Sequence, residues 1–226
     1  MNAQGVPETV SMRAFASSAW EPGNPGNPAV ARANEAYRRA RLEILTEAAR
    51  RPTATFEGWE CDDRQKKVLI NDLSGAVSKV NAALEKLRLA QGGVQAELKQ
   101  VALHFKTQSP EDLASIIANF SRVRDELGNV TDFSCGGTIC EVKDLVYWRL
   151  FHAHVLGWAI KSGGAAAQIN ICKGYWGLAE STRVLNVIHE ATHKAFGTAD
   201  YSYALNLPRE EALKNAATYA IYASGW

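Results

Sequence analysis

The residues best suited to chemistry lie in one segment, from Val184 to His193, with the sequence VLNVIHEATH. His189 and His193 are four residues apart, and on a helix this spacing puts both imidazoles on one face, where they can bind a single metal ion. Glu190 then lies beside the open side of that metal, where it can act as a general base on a water molecule. A catalytic zinc site usually has three protein ligands, so a third is required. Asp200 is the nearest carboxylate after the two histidines.

The same HExxH pattern also occurs by chance in ordinary helices, where it forms a solvated polar face. The residues that precede the motif argue against this alternative, because they are apolar and predict a buried helix: Val184, Leu185, Val187 and Ile188. A buried His-Glu-His group without a metal or partners would cost free energy. Gly197 can end the helix in the left-handed conformation, and the turn that follows would return Asp200 towards the histidines.

The sequence HEATH at 189–193, followed by GTADYSY at 197–203, resembles the aspzincin metallopeptidases, which include deuterolysin and the peptidyl-Lys metalloendopeptidases. Their pattern is HExxH, a short spacer and then GTxDxxYG. The resemblance implies Zn2+ as the cofactor, with His189, His193 and Asp200 as its ligands. It also implies that Glu190 is the general base and that Tyr203 supplies a hydroxyl to the transition state.

Two positions depart from the family pattern. The spacer Lys194-Ala195-Phe196 is shorter than the family's, and its length decides where Asp200 is placed. Ala204 stands where the pattern has glycine, which affects only the turn after Tyr203.

Length and composition predict one sizeable domain with an appendage, since the chain has 226 residues and 46% hydrophobic content. The net charge is +1, from 25 basic and 24 acidic residues, and no basic cluster is interleaved with aromatic residues, so we expect no nucleic-acid partner. No apolar run approaches the length of a membrane span. The first residues, MNAQGVPETVSMRAF, lack the apolar core of a signal peptide, so we expect export by another route or a chain shown without its leader.

We expect an N-terminal extension at residues 1–54 and a zinc metallopeptidase domain at residues 55–226. The extension contains a Pro/Gly/Asn cluster at 21–28, which is typical of a loop or linker. After it, residues 29–51 predict a helix with a narrow apolar face. We expect this extension to be a packing appendage, with a propeptide or a docking segment as the alternative.

Helical periodicity predicts the elements that position the motif. One amphipathic helix runs from about Gln65 to Leu87, with apolar residues at spacings of three and four. A second begins at Ser109, a good cap that is followed by a proline and two acids. The helix of the HExxH motif is expected at about 181–195, with Ser181 or Thr182 as its cap.

Strands are predicted in the middle of the chain. Residues 145–160 are dense in β-branched and aromatic side chains, and Ile169 and Ile171 alternate with polar neighbours. The expected fold is therefore α+β: a mostly helical, zincin-like metallopeptidase domain with a small β-sheet beside the HExxH helix. The edge of such a sheet can hold an extended substrate. His152 and His154 would share one face of a strand, where sheet packing is a simpler explanation than a second metal site.

The chain has four cysteines, Cys61, Cys135, Cys140 and Cys172. Of these, Cys135 and Cys140 come closest to the tight spacing of a zinc-binding pair. The even number, together with the resemblance to secreted proteases, favours disulfides and an oxidising compartment. Family position implies the pairs Cys61–Cys135 and Cys140–Cys172. The alternative is four buried free thiols in a cytosolic protein.

The resemblance implies a zinc-dependent endopeptidase, and we expect a protein or peptide substrate and a secreted or periplasm-targeted location, with a bacterial toxin or effector as one role. One alternative keeps the chemistry but takes peptidoglycan cross-links as the substrate after delivery by a secretion system. A secretion-system component or an immunity or inhibitor protein would then be a partner. The other alternative is a non-catalytic, metal-binding adaptor on the same fold, although every residue that the chemistry needs is present.

The lysine-preferring relatives carry two carboxylates near the C-terminus, in a segment resembling NADxxEYF, which receive the ammonium group of the substrate. The matching stretch here is NAATYAIY at 215–222, and the acidic positions fall on Ala217 and Ala220. Two methyl groups cannot pair a buried ammonium, and leaving that charge unpaired costs several kcal/mol. The resemblance therefore implies a pocket for small or apolar side chains, with Glu210 and Glu211 as an alternative source of negative charge.

Overall fold

The computed structural model describes residues 53–56, 61–136, 140, 157–159, 168–201 and 206–225. Its helices are α1 (Asp63–Gln91), α2 (Gln95–Phe105), α3 (Pro110–Gly128), α4 (Glu180–Phe196), α5 (Arg209–Ala212) and α6 (Ala216–Ser224). Its strands are β1 (Thr53–Thr55), β2 (Val130–Cys135), β3 (Gly157–Ala159) and β4 (Ile169–Ile171), and a short 3-10 helix, Lys173–Gly177, leads into α4. The predicted fold class, α+β and mostly helical, is confirmed.

Several predictions fall on residues outside these ranges. They concern the extension up to residue 52, most of the predicted strand region at 145–160, and the pair His152 and His154. The predicted domain boundary between residues 54 and 55 falls within β1. None of the helices that the structure describes combines the length and the apolar character needed to cross a membrane.

Helices α1 and α3 both begin at a capping side chain, and the cap of α3 at Ser109 is the one that the sequence predicted. Asp62 and Gln65 form a reciprocal pair at the start of α1, in which the Gln65 N–H donates to Oδ1 of Asp62 and the Asp62 N–H donates to Oε1 of Gln65. Ser109 caps α3 by accepting a hydrogen bond from the Asp112 N–H at 3.1 Å. Both helices bury the apolar positions that the spacing selects: Leu69, Leu73, Ala76, Val80, Leu84 and Leu87 in α1, and Leu113, Ile116, Phe120, Val123 and Leu127 in α3.

The four described strands form a mixed sheet in the order β1-β2-β4-β3. Strand β2 pairs in parallel with both β1 and β4, with Ser134 opposite Asn170 in the second pair. Strand β3 pairs antiparallel with β4 and is an edge of the sheet. In β4, Ile169 and Ile171 are buried and Asn170 between them is partly exposed, which is the alternation that the sequence predicted.

Two disulfides connect the sheet to the rest of the fold. Cys61, just before α1, is bonded to Cys135 at the end of β2, and Cys140 is bonded to Cys172, the residue that follows β4. No free cysteine remains among the described residues, which include all four. The predicted pairing is therefore confirmed, and the alternative of four free thiols is wrong.

Helix α4, which carries the HExxH motif, packs against α1, α3 and α6. Its approach to α1 is close: a Cβ atom added at Gly75 would lie 2.9 Å from Cγ2 of Val184. A glycine at this position of α1 therefore lets the two helices come together. The apolar side of α4 that enters the core includes Val184, Val187, Ile188 and Ala191.

The start of α4 differs from the prediction. The residue before the helix is Ala179, whose side chain makes no capping bond, and both Ser181 and Thr182 lie in the first turn. Long-range contacts hold this end instead. Arg183 donates to the fully buried carboxylate of Asp72 on α1, with Nε 2.8 Å from Oδ2, and the hydroxyl of Tyr175 donates to the same oxygen at 2.7 Å. The predicted cap is thus wrong because tertiary contacts replace it.

Candidate metal centre

The two histidines of the motif project from consecutive turns of α4. Their side chains are buried, and the Nε2 atoms of His189 and His193 are 3.1 Å apart. Glu190, which directly follows His189 in the chain, is buried as well. Because all three of these polar side chains are buried, the alternative of a solvated His/Glu face does not describe this helix.

Asp200 joins the histidines through the turn that follows α4. Gly197 ends the helix in the left-handed conformation, with φ 73° and ψ 40°, as predicted. The chain then reverses and places Oδ1 of Asp200 2.9 Å from Nε2 of His189 and 3.1 Å from Nε2 of His193. The short spacer therefore still delivers this carboxylate to the histidines.

The three side chains offer a donor set that fits zinc. Among the described residues, His189, His193 and Asp200 are the one group of metal-ligating side chains whose ligand atoms converge in this way. A tetrahedral zinc ion with bonds of about 2.0–2.1 Å places its ligand atoms about 3.3 Å apart, so a slight expansion of the observed 2.9–3.1 Å separations would admit the ion. Two imidazole nitrogens and one carboxylate oxygen are ligand types that zinc accepts.

The buried Thr198 orients the second histidine, and the buried Thr192 lies against Thr198. Nδ1 of His193 lies 3.0 Å from the backbone carbonyl oxygen of Thr198 and 2.9 Å from its hydroxyl. A hydrogen bond to the carbonyl requires a proton on Nδ1, which leaves the Nε2 lone pair directed at the other ligands. The Thr192 hydroxyl donates to the His189 carbonyl and lies 2.8 Å from the Thr198 hydroxyl.

Sequence reasoning missed these threonines, although both lie within the HEATH and GTADYSY segments that carried the family resemblance. The available signal was a small hydroxyl residue directly before His193 and another two residues before Asp200. Hydrogen bonds from beyond the ligands commonly fix histidine ligands in metal sites. Thr192 and Thr198 are therefore part of the candidate centre.

The charges of the cluster reinforce one another. Burial by itself would lower the pKa of His193, but the Asp200 carboxylate, Glu190 and the Thr198 carbonyl raise it overall. Burial opposes ionisation of Asp200 as well, yet its contacts with His189 and His193 hold the pKa of this carboxyl well below its usual range. Asp200 is therefore a carboxylate at neutral pH, which is the form in which it can serve as a metal ligand.

The other predicted site residues are placed as follows. Tyr203 and Ala204 lie outside the described residues, so the role of Tyr203 stays a prediction. Ala217 and Ala220 are buried on α6. Glu210 and Glu211 belong to the separate short helix α5, and the exposed Glu210 pairs with Arg209 at 2.6 Å, so these acids do not continue the helix of the two alanines.

The helical fold, the HExxH helix and the converging His-His-Asp group define the class as a metallopeptidase domain. The sequence model of the aspzincin family, described as lysine-specific metallo-endopeptidase, matches residues 90–224. This match spans more than half of the chain and includes every candidate ligand, so the chain belongs to the aspzincin family. The resemblance found in the sequence is confirmed.

Two known proteins illustrate the relationship. The chain is 24% identical over 186 residues to a neutral protease 2 homolog from Uncinocarpus reesii, which covers 75% of this chain and 48% of the relative. The chain thus spans about half the length of that curated relative. It is also similar to the solved structure of a zinc peptidase from Grifola frondosa, with a TM-score of 0.55 and 14% identity, over 73% of this chain and 97% of that chain. At this identity the second likeness concerns the fold alone.

Proposed function

We propose that this protein is a zinc-dependent endopeptidase that hydrolyses peptide bonds in proteins or peptides. The observation that carries the proposal is the convergence of His189, His193 and Asp200 on one point, next in the chain to the buried carboxylate of Glu190. Membership of the aspzincin family supports the same reaction class.

Each side chain of the centre has a distinct role in the proposed reaction. His189 and His193 would hold zinc through neutral Nε2 atoms, and Asp200 would hold it through a carboxylate oxygen. The bound ion supplies Lewis-acid chemistry, since it acidifies a water molecule and polarises the scissile carbonyl. Glu190 accepts the proton of the attacking water and then delivers it to the departing amine nitrogen. By resemblance to the family, Tyr203 donates a hydrogen bond to the developing oxyanion.

The test is reconstitution. Protein stripped of metal is incubated with casein before and after addition of one equivalent of zinc, and fragments are counted by mass spectrometry. We expect cleavage only after zinc is added and loss of cleavage with a chelator. Stoichiometric zinc binding without cleavage of casein or of a peptide library would favour the non-catalytic adaptor instead.

We also propose that the protein works outside a reducing cytosol, as a secreted or periplasmic enzyme. The two disulfides support this location, because such bonds persist in oxidising compartments.

The narrower role of a toxin or effector that acts on cell-wall peptides can be distinguished from a general endopeptidase by the substrate that the protein cleaves. Purified peptidoglycan and denatured proteins are incubated with the zinc-loaded protein in parallel. Release of peptidoglycan fragments without cleavage of proteins would favour the cell-wall role.

A further inference from the structure

The turn that carries Asp200 contains the buried Thr198, but Asp200 itself is not buried. The Asp200 side chain is 53% exposed, in contrast to the buried histidines that it contacts. The turn begins at Gly197, where a Cβ atom would meet no other atom within 4 Å. Burial of its own side chain therefore does not hold this carboxylate in place, and beyond the buried Thr198 its position is fixed by hydrogen bonds to the backbone on either side of it.

Those hydrogen bonds come from the segment just before α6. The Ala199 N–H donates to the carbonyl of Lys214 at 2.8 Å, and the Ala216 N–H donates to the carbonyl of Ala199 at 3.0 Å. Ala199 thereby forms a parallel bridge with Asn215. This bridge fixes the backbone on the N-terminal side of Asp200.

A side chain fixes the other side. Asn215 is 1% exposed, and its Oδ1 accepts a hydrogen bond from the Tyr201 N–H at 3.0 Å. Its Nδ2 donates to the hydroxyl of Thr218 at 3.0 Å, which orients the amide so that its oxygen faces Tyr201. Asp200 therefore lies between Ala199 and Tyr201, whose backbones are both hydrogen-bonded to residues 214–216.

We propose that Asn215 is a positioning residue for the metal centre: its side-chain oxygen holds the Tyr201 backbone and so keeps the Asp200 carboxylate beside His189 and His193. The inference rests on the proposed function only in taking Asp200 as a metal ligand. Groups that orient a ligand typically contribute about 10- to 100-fold to metal affinity, although they never touch the ion.

The test measures zinc affinity by chelator competition, together with the visible absorption spectrum of the cobalt-substituted protein. Asn215→Ala removes the acceptor, and we expect the zinc dissociation constant to rise about 10- to 100-fold and the cobalt bands to shift. Asn215→Asp keeps an oxygen for the Tyr201 N–H and can accept from the Thr218 hydroxyl, so it should restore most of the affinity.

Asn119→Ala is the matched control. Asn119 is a partly buried amide on α3 that donates to the Tyr219 hydroxyl of α6 at 2.9 Å. It therefore also contacts α6, but its hydrogen bond goes to Tyr219 and not to the turn that carries Asp200. We expect this variant to lower the melting temperature while the zinc dissociation constant and the cobalt spectrum stay the same.

The inference is overturned if Asn215→Ala loses stability but binds zinc and cobalt as the unmodified protein does. Should that variant not fold, Thr218→Val decides, because it frees the Asn215 amide to rotate and should weaken zinc binding several-fold. An unchanged zinc affinity in Thr218→Val would then overturn the inference. If Asp200→Ala itself leaves zinc affinity unaltered, Asp200 is not a ligand, and the proposed function fails along with this inference.

Discussion

The ammonium of Lys194 lies 2.6 Å from Oε1 of Glu126 and joins the HExxH helix α4 to α3. Lys194 directly follows the metal-binding His193, and its side chain is only 6% exposed, whereas that of Glu126 is 23% exposed. Water can therefore solvate the Glu126 carboxylate if Lys194 is removed, but it reaches the Lys194 ammonium much less if Glu126 is removed. A buried charge that loses its partner is strongly destabilising.

Replacing Glu126 should accordingly destabilise the fold more than replacing Lys194. We expect Glu126→Gln to lower the free energy of unfolding by about 3 kcal/mol, because it leaves the buried ammonium unpaired. Lys194→Met should lower it by about 1 kcal/mol, since the remaining carboxylate is reachable by water. Urea denaturation of both variants provides the measurement. A larger loss in Lys194→Met would contradict this account.

Glu190→Gln tests the general base. An amide cannot accept a proton from water, so we expect kcat to fall by at least about 100-fold. The ligands are untouched, and the zinc content and the unfolding midpoint should stay unchanged. Turnover is followed with casein, and metal analysis of the same sample is the control. Near-normal turnover would show that another group takes the proton.

Asp200→Ala tests the third ligand. We expect zinc to be lost at a chelator concentration that the unmodified protein survives, since a ligand is removed in addition to any effect on activity. Asp125→Ala is a suitable control, because the Asp125 carboxylate on α3 is 55% exposed, close to the 53% of Asp200. Equal zinc retention in the two variants would mean that another group completes the centre.

The disulfides can be counted directly. Intact mass after alkylation should show no modified thiol in the native protein and four after reduction, because all four cysteines are paired. Reduction should also lower the unfolding midpoint, since each loop closed by a bridge contributes about 4 kcal/mol. Four thiols alkylated without reductant would contradict both the bridges and an oxidising location.

Cleavage preference is expected to depart from the lysine specificity that describes the family. Ala217 and Ala220 occupy the positions of the two acids in the lysine-preferring relatives, and methyl groups cannot pair an ammonium. We expect cleavage beside small or apolar side chains when sites are mapped by mass spectrometry in a denatured proteome. Strong enrichment of lysine next to the scissile bond would refute this prediction.

Local signals account for the parts of the fold that the sequence predicted. The spacing of apolar residues and the caps at Asp62 and Ser109 define α1 and α3 without reference to the rest of the chain. Helix α2 has apolar residues at helical spacing, Leu98, Val101 and Phe105, but it was missed because no local signal marks its ends. Val94 precedes it without a side-chain cap, and Lys106 ends it in a left-handed conformation that usually requires glycine.

Contacts between distant segments could not be predicted, apart from the disulfides that the family resemblance implied. The carboxylate of Asp72 holds Arg183 across 111 positions, and this contact replaces the local cap that was expected for α4. At the candidate centre, too, local patterns account for only some of the contacts. Helical spacing brings His189 and His193 together and Gly197 turns the chain, but no local pattern shows that Asn215 bonds to the backbone of Tyr201.

The three candidate ligands lie on one uninterrupted stretch of chain, from His189 to Asp200. Because closing such a short loop costs little entropy, these side chains remain near one another even in the unfolded chain. The unfolded chain therefore keeps part of its affinity for zinc. The ion stabilises the fold only by the difference between its affinities for the two states. A shift in melting temperature on adding zinc consequently understates how tightly the folded protein holds the ion.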